Sequence, residues 1–318
     1  GGPLSAETEA AAATAADTAA MAFVGVSTGE SSIMRIFPEW ARLLGLPTAR
    51  LVGFDLPPDA EPARYRAVAE RIRRDPLLLG ALITTHKIGV YRAAADLFDE
   101  LDDFARLCGE VSSVSKRDGR FVGHAKDPLT AGLAIEEFLA PGHFAATGGE
   151  LLCLGAGGAG TAISYYLARR PDAPARIVCT DRSADRLAEL ADVLRRGGAD
   201  PARLRTVVTG GHADDLLAAA PPGTLVVNAT GLGKDRPGSP LSPAARYPRG
   251  AVVWELNYRG ALPFLHAARA RAAERDLDVV DGWRYFIHGW SQVIAEVFGL
   301  RLDAATVDRL SAAAEAVR

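Results

Sequence analysis

Leu151-Leu152-Cys153-Leu154-Gly155-Ala156-Gly157-Gly158-Ala159-Gly160 carries four apolar residues straight into G-x-G-x-x-G. Thr161 to Arg170 follow with helical spacing, and a second apolar run, Ala175-Arg176-Ile177-Val178-Cys179-Thr180, ends at Asp181. Strand, glycine turn, helix, strand and terminal acid in that order form the setting of a dinucleotide site. Gly155 permits the tight turn, Gly157 lets the main chain approach a pyrophosphate, and Gly160 lets the helix pack on the strand. The N–H groups that open the helix, at Gly158 and Ala159, attract the anion.

Outward from this stretch, strands alternate with helices. Downstream, strands are expected at Thr206-Val207-Val208, Leu225-Val226-Val227, Val252-Val253-Trp254 and Asp278-Val279-Val280. A long amphipathic helix, Trp283 to Phe298, and a shorter one, Ala304 to Val317, close the chain. Upstream, strands are expected at Ala22–Val26, Arg50–Phe54 and Leu77–Thr84, with helices through Trp40 and Leu44, over Ala63–Arg73 and over Val90–Leu101. That alternation predicts a parallel sheet. Two short strands, Val111–Ser115 and Arg120–His124, turn at Asp118-Gly119. A helix from near Leu129 leads to Pro141-Gly142, read as a linker ahead of the nucleotide-binding strands.

The 318 residues, 48% hydrophobic and 24% charged, suit two ordinary domains. A formal net charge of -3 gives no general pull toward nucleic acid or an anionic membrane, so neither is an expected partner. Cys108, Cys153 and Cys179 form no metal-ligand pattern and read as reduced residues of a cytoplasmic protein; no metal is expected. No apolar run reaches the ~20 residues that span a bilayer. Residues 1–20, rich in Ala, Thr and Glu, read as a loose tail or frayed helix rather than a signal peptide.

Several further motifs occur in a telling order. Gly80-Ala81-Leu82-Ile83-Thr84-Thr85-His86-Lys87 resembles the G-x-N-V-T-x-P-x-K motif of shikimate dehydrogenases, one residue short before His86-Lys87. Gly109-Glu110-Val111-Ser112-Ser113 resembles their G-A-V-N-T, and Gly123-His124-Ala125-Lys126-Asp127 their G-x-N-T-D. Asn228-Ala229-Thr230-Gly231-Leu232-Gly233, Tyr258 with Pro263-Phe264-Leu265, and Asp281-Gly282-Trp283 stand where that family carries N-A-T-x-x-G, a tyrosine–proline element and D-G-L. The resemblance covers the chain after Met21.

It implies an α/β chain of an N-terminal α/β substrate domain (21–127 plus 282–318) and a Rossmann-type dinucleotide-binding domain (128–281), with a cleft between them. It further implies Lys87 and Asp127 as the catalytic pair. The chemistry agrees with these residue types: a ketone accepting hydride becomes an alkoxide, which an ammonium stabilises and protonates. A carboxylate orients the amine and holds its charge. Alone, a lysine after a strand reads as a solvated surface residue.

The substrate side departs from the pattern. Of the family's S-x-S, Ser31 remains and Ile33 replaces the second hydroxyl. Leu82 stands for one Asn and Ser112 for another, and the closing-helix Gln falls near Gly289. Ser31, Thr84, Ser112, Tyr258 and Gln292, the last one turn away, are the candidate substrate-binding set. Each missing hydroxyl partner would cost ~1–3 kcal/mol with a polyol. Glu30, His124 and Lys126 are candidate replacements; Trp283, Tyr285, His288 and Trp290 read more readily as core.

For the cofactor, Asp181 suits the ribose hydroxyls of NAD, whereas Arg182 and Arg186 match the spacing of the family's phosphate-gripping N-R-T-x-x-R and tip the expectation to NADP over NAD. Gly155, Gly157, Gly158, Ala159, Asn228, Ala229 and Thr230 complete the expected cofactor set. The expected activity is a ring ketone–alcohol interconversion on a small cyclic, carboxylated hydroxy compound other than shikimate, in specialised biosynthesis, by a monomer or homodimer. A non-catalytic metabolite and nucleotide sensor is the alternative. A folate-dependent dehydrogenase or tRNA-linked reductase of related architecture fits the motif order less well.

Overall fold

Two six-stranded sheets carry the chain, one in each of two compact units. The computed structural model describes residues 18–234 and 236–318, so most of the expected N-terminal tail lies outside the described residues. One unit runs up to Lys126 and resumes over Gly289–Arg318; the other is Asp127–His288.

The first unit contains β1 (Ala20–Gly25), α1 (Ile33–Leu44), β2 (Leu51–Asp55), α2 (Pro62–Arg74), β3 (Leu78–Ile83), α3 (Lys87–Ala94), β4 (Glu100–Leu101), α4 (Asp103–Cys108), β5 (Ser113–Arg117) and β6 (Arg120–His124). Its sheet runs β2-β1-β3-β5-β6-β4. The expectation of a parallel sheet holds for β1, β2 and β3, but β5 pairs antiparallel with β3 and β6, making the sheet mixed. A two-residue turn with positive φ at Asp118 and Gly119 returns the chain at once, which makes β5 and β6 an antiparallel hairpin.

The helix expected over Val90–Leu101 ends at Ala94, passes through a single 3-10 turn at Ala95–Leu97, and gives way to β4. Asp99 explains the break. Its N–H donates to the Phe121 carbonyl and its carboxylate accepts from the Phe121 N–H, fastening this segment beside β6. Asp102 then caps α4 through the Ala105 N–H at 2.8 Å.

The second unit contains α5 (Asp127–Phe138), α6 (His143–Thr147), β7 (Leu151–Leu154), α7 (Gly158–Arg169), β8 (Ile177–Asp181), α8 (Ala184–Arg196), β9 (Leu204–Val208), α9 (Asp214–Ala219), β10 (Leu225–Asn228), β11 (Val252–Glu255), α10 (Pro263–Arg275) and β12 (Asp278–Val280). α5 starts at Asp127 itself, and Pro141-Gly142, read as a linker, lies inside this unit. The sheet is parallel throughout, in the order β12-β11-β10-β7-β8-β9. This is the doubly wound order, with the chain reversing direction across the sheet between β7 and β10. β7 and β10 are fully buried, as continuous apolar runs in a parallel sheet should be.

α11 (Trp283–Phe298) and α12 (Ala304–Val317) close the chain, and the second unit boundary falls inside α11. Among the described residues no helix is long and apolar enough to cross a membrane.

Candidate active site

In the second unit, β7 ends in the glycine turn that opens α7. Gly155 adopts φ +112°, and a Cβ there would lie 2.5 Å from the Ala229 carbonyl oxygen. A Cβ on Gly160 would lie 2.1 Å from the Gly155 carbonyl oxygen, so the helix crosses its own turn at glycine-only distance. Gly157, the N-cap of α7, differs: a Cβ there would meet nothing within 4 Å. The main chain is therefore bare where it faces open space, with the unbonded N–H groups of a twelve-residue helix just beyond. These residues fit a dinucleotide pyrophosphate.

Asp181, at the end of β8, braces this turn. Its carboxylate accepts from the Ala156 N–H at 2.9 Å and the Ser183 N–H at 2.8 Å. Arg186 donates to the Ala156 carbonyl at 3.0 Å and pairs with Glu189. Arg182 is exposed.

The Asn228-Ala229-Thr230 segment leaves β10 beside the glycine turn, the Ala229 N–H donating to the Leu154 carbonyl at 2.7 Å. Asn228 is fully buried, and its side chain is committed to shaping this loop. Its amide donates to Glu255 at 2.9 Å and to the Leu232 carbonyl, while its oxygen accepts from the Thr230 N–H and hydroxyl. Burial pushes the Glu255 carboxyl above its ordinary range, against the hydrogen bonds from Asn257 and Asn228. Ala229 and Thr230 are half-buried on the same loop.

Tyr258 packs edge-on against Trp283 at 5.1 Å and, tilted, against Phe286 at 4.6 Å. Trp283 and His288 are buried and Tyr285 packs on Trp254, so these residues build core. His288 Nε2 meets Glu137, whose carboxylate also accepts two hydrogen bonds at 2.9 Å from Arg284. Asp127 is 7% exposed and opens α5.

In the first unit, the candidates gather at one end of the sheet. The Thr84 N–H donates to the Val24 carbonyl at 2.9 Å and the Ile83 N–H to the Ser112 carbonyl at 2.9 Å. The Lys87 carbonyl, at the first residue of α3, accepts from the Val111 N–H at 3.0 Å. Main-chain bonds thus bring Thr84, Lys87 and Ser112 together. Thr28 donates through both its N–H and its hydroxyl to Asp55, fixing the short turn that carries Ser31 to the end of β2. Ser31, one residue ahead of the α1 N-cap, accepts from the Ile33 N–H at 3.4 Å. Glu30 is exposed, and Gln292 is half-buried on α11.

Ser112 is 3% exposed, and its hydroxyl accepts the Lys126 N–H at 2.9 Å. Lys126 itself turns to Glu296, Nζ to Oε1 at 2.7 Å, and His124 Nδ1 lies 3.2 Å from the same oxygen. Arg117 completes the cluster at 2.8 Å. Burial would raise the Glu296 carboxyl; Lys126, His124 and Arg117 outweigh it and hold it below the ordinary value. His124 and Lys126 therefore fasten α11 to the β5–β6 hairpin.

Sequence reading missed Glu296, the buried Glu110 beside the Val111–Lys87 bond, and the buried His86. Their types are ordinary for surfaces; only burial marks them.

No family model matches the chain. The shikimate dehydrogenase (NADP(+)) of Methylobacterium radiotolerans is 32% identical over 269 residues, which cover 83% of this chain and 86% of that protein.

The chain belongs to the shikimate dehydrogenase family.

Members of this family are NAD(P)-dependent oxidoreductases acting on CH–OH groups. The fold agrees. A solved shikimate 5-dehydrogenase from Thermus thermophilus, in complex with NADP(H) and shikimate, is similar over 95% of this chain and 100% of its own, with 24% identity and a TM-score of 0.70. A quinate dehydrogenase from Corynebacterium glutamicum, in complex with NAD, is similar over 94% and 99%, with 23% identity and a TM-score of 0.70. The glycine turn and the order of motifs thus sit on the fold of this family.

Proposed function

We propose that this chain interconverts a ring ketone and its alcohol on a cyclic, carboxylated hydroxy compound other than shikimate, with NADP preferred over NAD. The bare Gly157 main chain before the α7 N-terminus supports dinucleotide binding. Bound there, a nicotinamide dinucleotide supplies two-electron redox chemistry at carbon. The residues of this chain bind the substrate, hold it and manage the proton. Lys87, at the first position of α3, donates a proton to the carbonyl oxygen on reduction and takes it back on oxidation. Asp127 is the carboxylate that the family pattern pairs with it.

The observation that carries the change of substrate is the loss of free polar groups at the end of the first sheet. Leu82 and Ile33 are buried apolar residues at positions where the family pattern has hydrogen-bonding side chains. Ser112 already accepts from Lys126. Of the family's polar set, Ser31, Thr84 and Tyr258 are retained, with Gln292 one turn from the missing Gln, and a full polyol would be left with unpaired groups.

NADP preference rests on Arg182, which is exposed, and on Asp181, whose two oxygens already serve main-chain donors. The altered site supports a specialised biosynthetic role. The test is a nicotinamide absorbance assay with shikimate, quinate, amino-substituted analogues and cyclitols, each with NAD and with NADP. Turnover of an analogue in preference to shikimate is the expected result. Efficient turnover of shikimate overturns the substrate reading, and nucleotide binding without any turnover favours a sensor.

A further inference from the structure

His86 precedes Lys87 and is 1% exposed. Its ring ties together strand ends that converge from three directions. Nε2 lies 3.2 Å from the Gly25 carbonyl at the end of β1 and 3.1 Å from the Leu56 carbonyl just past β2. Carbonyls only accept, so Nε2 carries the proton. Nδ1 then accepts from the Tyr65 hydroxyl of α2 at 2.8 Å, and that hydroxyl in turn accepts from the Ala60 N–H at 3.1 Å. The same strand ends are bonded directly, the Leu56 N–H donating to Gly25 at 2.9 Å, and Asp55 holds the turn that leads to Ser31. The histidine main chain is equally committed: its carbonyl accepts the Val90 N–H at 2.9 Å and so starts α3.

Thr85, between Thr84 and His86, has φ +64°. A β-branched residue in the left-handed region is strained and persists only where its surroundings over-determine it. The buried ring beside it supplies that constraint. Pulling His86 inward to three partners swings the chain so that Lys87 takes the first position of the helix.

We propose that His86 is a positioning residue for Lys87: its neutral ring, bonded to the ends of β1 and β2 and to Tyr65, fixes the strained turn from which the lysine is presented. Lys87's role in turnover rests on the function proposed above; the geometry of its presentation does not.

The test therefore reads the lysine as well as the reaction. The chain has four lysines, Lys87, Lys116, Lys126 and Lys234, so reductive methylation with carbon-13 yields a short set of resolvable signals, assigned by Lys87→Arg. His86→Leu removes donor and acceptor; His86→Gln keeps a donor toward the two carbonyls; Tyr65→Phe removes only the partner of Nδ1. In the folded full chain, His86→Leu is expected to move the Lys87 signal and shift its titration midpoint by about half a unit or more. The other lysine signals stay in place, and His86→Gln recovers most of the change. Where a substrate is turned over, His86→Leu lowers kcat by about ten- to a hundredfold per folded molecule, with KM within about twofold.

A folded His86→Leu protein whose Lys87 signal, midpoint and kcat match the parent overturns the proposal. Should His86→Leu not fold, Tyr65→Phe decides. A smaller change of the same kind at the Lys87 signal supports the assignment, and an unchanged signal overturns it. Absence of turnover in the parent with an altered Lys87 signal in the variants faults the proposed reaction and leaves the positioning role standing.

Discussion

Asp181 holds Ala156: the carboxylate at the end of β8 accepts the N–H of the second residue of the glycine turn at 2.9 Å. An acid that sequence pattern assigns to a ribose is thereby a brace for the glycine turn. Asp181→Asn replaces one accepting oxygen with a donor that faces a main-chain N–H. Nucleotide affinity is expected to fall about tenfold for NAD and NADP alike, with about 1–2 kcal/mol of stability lost. Fluorescence titration and urea unfolding measure the two. A selective gain in NADP affinity without loss of stability would contradict the brace.

Gly157 and Gly160 separate binding from folding. Gly157→Ala adds a methyl group to open space, so melting should change little while dinucleotide affinity falls at least about tenfold, because close main-chain approach is lost. Gly160→Ala drives a methyl group into the Gly155 carbonyl, and a loss of about 2 kcal/mol or more is expected from overpacking. Thermal melts of the two variants side by side check the contrast.

Arg182 is exposed beside Asp181 and contributes little to the fold. Arg182→Ala should raise KM for NADP about tenfold through loss of a charge-assisted phosphate contact, leaving KM for NAD unchanged. Equal effects on both cofactors would remove Arg182 from the 2′-phosphate.

Lys87→Met should lower kcat by about a thousandfold while nucleotide binding persists, the usual scale for a lost proton donor. Isothermal titration with NADP, run beside the turnover assay, distinguishes a chemical loss from a binding loss.

Glu296 meets Lys126, His124 and Arg117, and its side chain is 20% exposed. Glu296→Gln should cost about 2 kcal/mol at neutral pH, Arg117 contributing least because it is itself nearly half exposed. The folded carboxyl titrates below its ordinary value of 4.5, so its stabilisation is full above that value and is lost as pH falls through the lower folded value. The gap between parent and variant in urea unfolding should therefore close in acid.

The helices Trp283–Phe298 and Ala304–Val317 and the strand–turn–helix at Leu151 could be read from the sequence because each has a full period or run and a clear stop. β4 could not. A two-residue strand has no period, and Asp99 reveals its pairing only with Phe121 in place, 22 residues away. Likewise Lys126 beside Asp127 invites a place in the site, while its partner Glu296 stands 170 residues on.

The sequence by itself determined the alternation of strands and helices in the second unit, the glycine turn and the family motifs in order, since each rests on local spacing and on backbone freedom that glycine alone supplies. Only the tertiary structure decided what the charged and polar side chains do. It turned Asp181 to brace the turn, Asn228 to shape its own loop, Ser112 to meet Lys126, and His86 inward beneath Lys87. The physical reason is that a buried polar group must find partners, and which partners it finds depends on chain segments that only folding brings within hydrogen-bond reach.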